Sequence, residues 1–172
     1  RHTRYWRDWS SDVCSSDLGY AHAAGFCTFN GLMVTSMVLH AEGLVRRVAL
    51  LDLDQHWGDG TQDIIDHHSS GEHSPGASQA QRYLRDLPAL VSRFAGCDLL
   101  IYQAGADAHI NDPLGGWMTT EQLARRDDIV FTEAARIGLS VAWVLAGGYQ
   151  RDAAGGISPV LEVHRNTMRA CV

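Results

Sequence analysis

A short apolar run that ends in alternating carboxylate and imidazole side chains most strongly constrains the fold of this 172-residue chain. Residues 50–62 read LLDLDQHWGDGTQ, with Asp52, Asp54 and His56 at every second position. Because alternate residues of an extended chain point the same way, these three side chains can converge just beyond a strand end. Carboxylate and imidazole ligands together suit zinc or another first-row divalent ion. The alternative is a strand end that carries solvated polar residues.

Two further apolar runs end in polar groups of the same kind. The run Asp98–Gln103 leads into GADAHINDPLGG, which contains Asp107, and the run Leu139–Leu145 leads into AGGY, which ends at Tyr149. Parallel strands end at one edge of a sheet, where open α/β sheets hold their ligands, so Asp107 can reach a metal at Asp54 and His56. Two carboxylates and one imidazole leave a coordination position open, as in catalytic zinc sites.

Strand and helix patterns alternate along the chain. We predict strands over Arg47–Leu53, Asp98–Gln103 and Leu139–Leu145. We predict helices over Asn30–Ala41, Thr61–Asp66, Gln79–Phe94 with an interruption near Pro88, Thr119–Ile137 with a capping box to Gln122 and Gly138 after its end, and a last helix from Ser158 as N-cap through Arg169. Such alternation predicts an α/β fold, a parallel sheet with right-handed crossovers and helices on both faces.

Composition limits the classes of function. The chain is 45% hydrophobic and 20% charged, with a net charge of −6, which is ordinary for a globular protein and unfavourable for binding nucleic acid. No apolar run is long enough to cross a membrane. Cys27, Cys97 and Cys171 offer neither a disulfide framework nor a zinc ribbon, so we expect a cytoplasmic protein. All 14 basic residues are arginine, which suggests a GC-rich bacterial gene.

Four motifs between Gly19 and Gln150 occur in the order GFCTFN, DLDQHWGDGTQ, GADAHINDPLGG and LAGGY. Together they resemble the zinc-dependent histone deacetylase family in its broad sense, which includes bacterial acetylpolyamine amidohydrolases. The resemblance implies a three-layer α/β/α parallel sheet of the arginase–deacetylase type. It also implies zinc-dependent hydrolysis of an N-acetyl amide, with an acetylated protein or a small acetylated amine as substrate.

The resemblance assigns roles residue by residue. It implies zinc ligands at Asp54, His56 and Asp107 and an oxyanion-stabilising Tyr149. It also implies that Asp52 and Asp59 orient a pair of catalytic histidines. An acyl-lysine channel is expected beside Gly25, Phe26, Asp112 and Leu114. A structural K⁺ is expected beneath the zinc, near Asp52, Asp54 and His56.

The catalytic His-His pair of this family is missing from the chain. Counting back from the GFC motif places it at positions 16 and 17, which hold Ser16 and Asp17. Residues 8–18 resemble the translation of a common sequencing adaptor, so we expect residues 1–18 to be an assembly artefact and residues 19–172 to be a partial deacetylase domain, incomplete at its N-terminus. We therefore expect no turnover from the chain as written.

Two other classes of protein share parts of this pattern. The sequence Asp52-Leu-Asp54 after an apolar strand also resembles the nucleophile motif of haloacid-dehalogenase-like magnesium phosphatases. Those enzymes use a lysine to neutralise phosphoryl charge, and this chain has none. A non-catalytic metal-binding module is the other alternative. Among the remaining histidines, we expect His109 to line the pocket or face water and His164 to lie on the surface or in the core.

Overall fold

The predicted α/β fold with a parallel sheet is confirmed by a computed structural model, which describes residues 30–55 and 80–172. In chain order the elements are α1 (Gly31–Ala41), β1 (Val48–Asp52), α2 (Ala80–Ser92), β2 (Leu99–Gly105), α3 (Thr120–Arg136), β3 (Ser140–Ala146) and α4 (Ser158–Ala170). The predicted helix Thr61–Asp66 lies outside the described residues.

The strands form one sheet in the order β1-β2-β3, and both pairings are parallel. The register pairs Asp52 of β1 with Gln103 of β2, and Gly105 of β2 with Ala146 of β3. The carboxyl ends of the strands therefore meet at one edge. Each strand begins one residue later than its sequence pattern predicts, and β2 and β3 run on to Gly105 and Ala146.

The described helices lie on both faces of the sheet. On one face, the side chains of Leu51, Leu100 and Tyr102 join a single core cluster with buried residues of α2, α3 and α4. On the other face, Met33 of α1 packs against Leu50, which points away from its neighbours in β1. β2 is buried along almost its whole length, because it lies in the centre of the sheet and helices cover it.

Three helix ends carry local signals: the capping box of α3 and Gly138 after it were predicted, whereas Asn30, predicted as the first helical residue, is the N-cap of α1. Asn30 caps α1 by accepting a hydrogen bond from the Met33 backbone N–H at 3.1 Å. Thr119 and Gln122 form the predicted capping box of α3, with both reciprocal hydrogen bonds present. Gly138 follows α3 with φ of +70°, a left-handed conformation that only glycine adopts readily.

Two predicted helix features were wrong. Helix α2 is not interrupted at Pro88 but continues through it, because buried Tyr83, Leu87 and Val91 keep one helical face packed on the core. Ser158 is the first helical residue of α4 and not its N-cap. Its hydroxyl bonds to the Asp152 carboxylate and does not cap its own helix.

Within the described ranges, none of the helices combines the length and the apolar character that crossing a membrane requires.

Candidate functional site at the carboxyl ends of the strands

The predicted ligands Asp54 and Asp107 lie close together at the shared edge of β1 and β2. The Gln55 backbone N–H donates to Oδ1 of Asp107 at 3.2 Å, which joins the two loops directly. A Cβ atom built on Gly105 would lie 2.9 Å from both Cβ of Asp54 and Oδ1 of Asp107, so those atoms cannot be farther apart than twice that distance. The parallel register thus brings the carboxylates together from distant parts of the sequence.

Glycine makes this approach possible. Gly147, the first residue after β3, has φ of +54°, and a Cβ built there would lie 2.5 Å from Cγ of Asp107. The turn after β3 therefore passes directly over the Asp107 carboxylate, which is completely buried. Any side chain at position 147 would displace this carboxylate or the turn.

Asp52 holds the backbone that leads to Asp54. Its Oδ1 accepts hydrogen bonds from the Asp54 backbone N–H at 3.1 Å and from Nε2 of Gln103 at 3.3 Å. The first contact is an Asx turn, which fixes the chain where β1 ends. Asp52 therefore orients neighbouring groups, and its predicted contact with a catalytic histidine stays a prediction.

Asp112 joins the loop after β2 to the loop that carries Tyr149. Its Oδ2 accepts a hydrogen bond from the Tyr149 backbone N–H at 2.8 Å, and its Oδ1 accepts one from the Leu114 backbone N–H at 3.0 Å. The Asp112 side chain is buried, whereas Leu114 is 55% exposed. Leu114 thus lies at the surface, and Asp112 fixes the backbone of Tyr149. The predicted position of both residues beside a substrate channel stays a prediction.

His109 is buried and engaged on both ring nitrogens. Nδ1 accepts from the Asn111 backbone N–H at 3.1 Å, so the proton of the neutral ring resides on Nε2, which lies 3.0 Å from Oγ1 of Thr120. Burial lowers the pKa of His109, which favours this neutral form. The ring therefore holds its loop against the start of α3, a role that neither sequence interpretation anticipated.

An arginine–aspartate pair beneath the strand ends is the part of the site that the sequence analysis missed. The side chains of Arg126 and Asp127, in the middle of α3, are 0% and 1% exposed, and Nε of Arg126 donates to Oδ1 of Asp127 at 2.8 Å. One signal could have revealed them. Arg126 and Asp127 continue the buried stripe of Leu123, Val130 and Ala134 at helical spacing.

The donor chemistry at the edge fits a divalent metal, because carboxylate oxygens are ordinary ligands of zinc. No group of three His, Cys, Asp or Glu side chains that could hold a metal was found among residues 30–55 and 80–172. The predicted ligand set includes His56, which lies outside these ranges, as do the predicted site residues Asp59, Gly25 and Phe26. Their roles stay predictions.

Several known proteins are similar to this chain in sequence. The histone deacetylase domain model matches residues 19–73 and 73–161. An uncharacterized protein of Picosynechococcus sp. is 31% identical over 81% of this chain and 57% of its own length. Acetylpolyamine amidohydrolase 1 of Pseudomonas aeruginosa is 24% identical over 76% of this chain and 47% of its own length. Histone deacetylase 15 of Arabidopsis thaliana is 29% identical over 56% of this chain and 24% of its own length.

A solved structure shares the fold. The crystal structure of the HDA15 HD domain superposes with a TM-score of 0.71 at 20% identity, covering 91% of this chain and 53% of that one. The chain spans about half the length of relatives such as the Picosynechococcus and Pseudomonas proteins, 57% and 47% respectively. Because the domain model matches most of the sequence, the chain belongs to the histone deacetylase family.

Proposed function

We propose that this chain carries the zinc-binding part of an enzyme that hydrolyses N-acetyl amides, with the metal held by Asp54, His56 and Asp107. The single observation that supports this most is the position of the Asp107 carboxylate. It is fully buried, lies against the same glycine as Asp54, and sits directly under the turn that leads to Tyr149. Carboxylate oxygens are ordinary ligands of zinc, and here the Asp107 carboxylate lies beside Asp54, the other predicted carboxylate ligand.

Each described residue has a defined part in this chemistry. A zinc ion at the site would supply Lewis acidity and would lower the pKa of a coordinated water. Asp112 fixes the backbone of Tyr149. From that position we propose that the Tyr149 phenol donates a hydrogen bond to the oxygen of the amide carbonyl as negative charge develops there. Asp52 keeps the turn that presents Asp54.

Proton transfer needs groups that the chain as written lacks. Amide hydrolysis requires a base for the attacking water and an acid for the departing amine. In the family both are histidines, and here the corresponding positions hold Ser16 and Asp17. We therefore propose that the unaltered chain binds zinc without appreciable turnover.

The substrate that we propose is an acetylated amine, either an acetyl-lysine side chain of a protein or a small acetylated polyamine. The support is that relatives of this chain are named histone deacetylase and acetylpolyamine amidohydrolase. We propose neither a membrane nor a nucleic acid as a binding partner.

Metal analysis of the purified chain tests the metal part. We expect one zinc per chain, lost in Asp107→Asn, whose side chain keeps its volume but loses its charge. Asp128→Asn is the matched control, because Asp128 lies on the exposed face of α3, away from the proposed ligands. Its Oδ2 is 3.0 Å from Nη1 of Arg125. Retention of zinc by Asp107→Asn would show that Asp107 is not a ligand and would overturn the assignment. A preference for magnesium over zinc would also overturn it and would favour the phosphatase class.

Restoring the histidines tests the catalytic part. We expect Ser16→His with Asp17→His to produce zinc-dependent release of acetate from an acetyl-lysine peptide or acetylputrescine. Adding Tyr149→Phe should reduce the turnover number by about 10²- to 10³-fold, since one oxyanion donor is lost, while zinc content is unchanged. Zinc uptake without turnover in the restored chain would favour a non-catalytic metal-binding module.

A further inference from the structure

The buried pair Arg126–Asp127 connects α3 to the ends of two strands. Nη1 of Arg126 donates to the Leu53 carbonyl at 3.1 Å and to the Gly105 carbonyl at 2.8 Å. Leu53 immediately precedes Asp54, and Gly105 stands two residues before Asp107. Two carbonyl oxygens that share one nitrogen atom cannot move apart without losing a hydrogen bond. Arg126 therefore fixes the spacing between the two strand ends.

The other half of the pair anchors the arginine. The Asp127 carboxylate accepts hydrogen bonds from the Tyr102 hydroxyl on β2 and, at 2.6 Å, from Oγ1 of Thr167 on α4. Nε of Arg126 is the third donor to this carboxylate. Donors from three elements thus fix the orientation of Asp127, and through it the orientation of the Arg126 guanidinium. A charged pair is costly to bury. Here each oxygen of the Asp127 carboxylate accepts at least one hydrogen bond, which offsets part of that cost.

Arg126 remains charged in this environment. Burial, the largest single effect, would lower the pKa of its guanidinium, but the charge of Asp127, the hydrogen bond to it and the nearby Tyr102 and Tyr83 together outweigh burial and raise the pKa above its ordinary value. The hydrogen bonds to the Leu53 and Gly105 carbonyls are therefore charge-assisted, and stronger than bonds from a neutral donor.

We propose that Arg126, held by Asp127, is a positioning residue that sets the distance between the Asp54 and Asp107 carboxylates and thereby tunes the affinity of the site for a divalent metal. This inference rests on the proposed function, because it assumes that those carboxylates bind a metal. Outer partners that orient metal ligands typically change metal affinity by about 10- to 100-fold when they are replaced.

The test uses the double variant Arg126→Met/Asp127→Asn, which removes both charges and leaves no unpaired buried ion. Val130→Ala is the matched control, because Val130 is fully buried on the same helix and is not a member of the pair. Zinc affinity is measured by competition with a chromophoric chelator. We expect the double variant to bind zinc about 10- to 100-fold more weakly and the control to bind it like the unsubstituted chain.

Amide hydrogen exchange of the metal-free proteins provides a second readout. The backbone N–H of Leu53 bonds to Gln103 and that of Ala106 bonds to Ala146, so both report on the strand ends. In the double variant these two amides should exchange faster relative to Ile101 in the middle of β2, whereas Val130→Ala should leave that ratio unchanged. If the double variant does not fold, Arg126→Lys serves in its place, since it keeps the charge but loses the planar fork.

Unchanged zinc affinity, or an unchanged exchange ratio, in a folded Arg126 variant would overturn the proposal. If the unsubstituted chain takes up no zinc, the proposed function fails and so does the metal part of this inference. The exchange ratio still decides separately whether Arg126 holds the two strand ends together.

Discussion

Replacement of Gly147 by alanine should damage both the stability of the fold and the proposed metal site. The new Cβ would lie 2.5 Å from Cγ and 2.7 Å from Oδ1 of Asp107, far inside van der Waals contact. The φ of +54° adds about 1–2 kcal/mol for a residue with a Cβ, and overpacking a buried position adds about 1–3 kcal/mol. The free energy of unfolding should therefore fall by about 2–5 kcal/mol, a large part of the roughly 5–15 kcal/mol of a typical domain.

Gly138→Ala separates the two contributions to this loss. Gly138 has a similar φ of +70°, but nothing lies within 4 Å of the Cβ position, so only the backbone penalty of about 1–2 kcal/mol applies. Urea denaturation of metal-free protein, followed by far-ultraviolet circular dichroism, gives the free energy of unfolding of each variant. We expect Gly147→Ala to be less stable than Gly138→Ala by about 1–3 kcal/mol, the overpacking part alone.

Zinc binding gives an independent comparison of the same two variants. Displacement of the Asp107 carboxylate should weaken zinc binding in Gly147→Ala, whereas Gly138→Ala should bind zinc like the unsubstituted chain. Equal stability and equal zinc affinity in the two variants would show that the turn after β3 does not press on Asp107, and the description of the site would be wrong.

Three further changes test other parts of the structure. Asn30→Ala removes the α1 cap and should lower the free energy of unfolding by about 1 kcal/mol in urea denaturation; no loss would argue against the cap. Tyr102→Phe removes a buried donor to Asp127 and should cost about 1–3 kcal/mol in the same assay, so an unchanged midpoint would contradict that hydrogen bond. Burial, with a smaller effect from Arg126, lowers the pKa of His164 in the folded protein. The unfolded chain, in which the pKa of histidine is about 6.5, therefore binds more protons, and the free energy of unfolding should fall as the pH drops from about 7.5 to about 5.5. His164→Gln should lose this part of the pH dependence, and identical pH slopes for the two proteins would refute it.

Much of the fold follows from local patterns in the sequence. The three strands were predictable because each is a near-continuous apolar run, which is typical of strands in a parallel sheet, although β3 leaves alternate residues from Ser140 to Val144 exposed. The capping box at Thr119 is a direct hydrogen-bonding signal, which the structure confirms. Pro88 was misinterpreted because a local rule about helix interiors was outweighed by packing of the buried face of α2.

The candidate site was predictable only in part. The positions of Asp54 and Asp107 after two strands allowed their approach to be inferred from the parallel sheet alone. The role of Asp112 depends on which backbone N–H lies opposite its carboxylate, and no spacing in the sequence encodes that contact. Arg126 and Asp127 resemble the exposed charges that flank them, and only their helical spacing from Leu123 and Val130 signalled that they are buried.

The link between Asp112 and Tyr149 has a practical consequence for engineering. Exchanging the 109–116 segment for that of a relative, in order to alter substrate preference, would also replace the carboxylate that holds the Tyr149 backbone. Grafts that keep an aspartate at position 112 should preserve the hydrogen bond to the Tyr149 backbone. Grafts that lack it would free the loop of Tyr149 from the 109–116 segment, so the two loops should be exchanged as one unit.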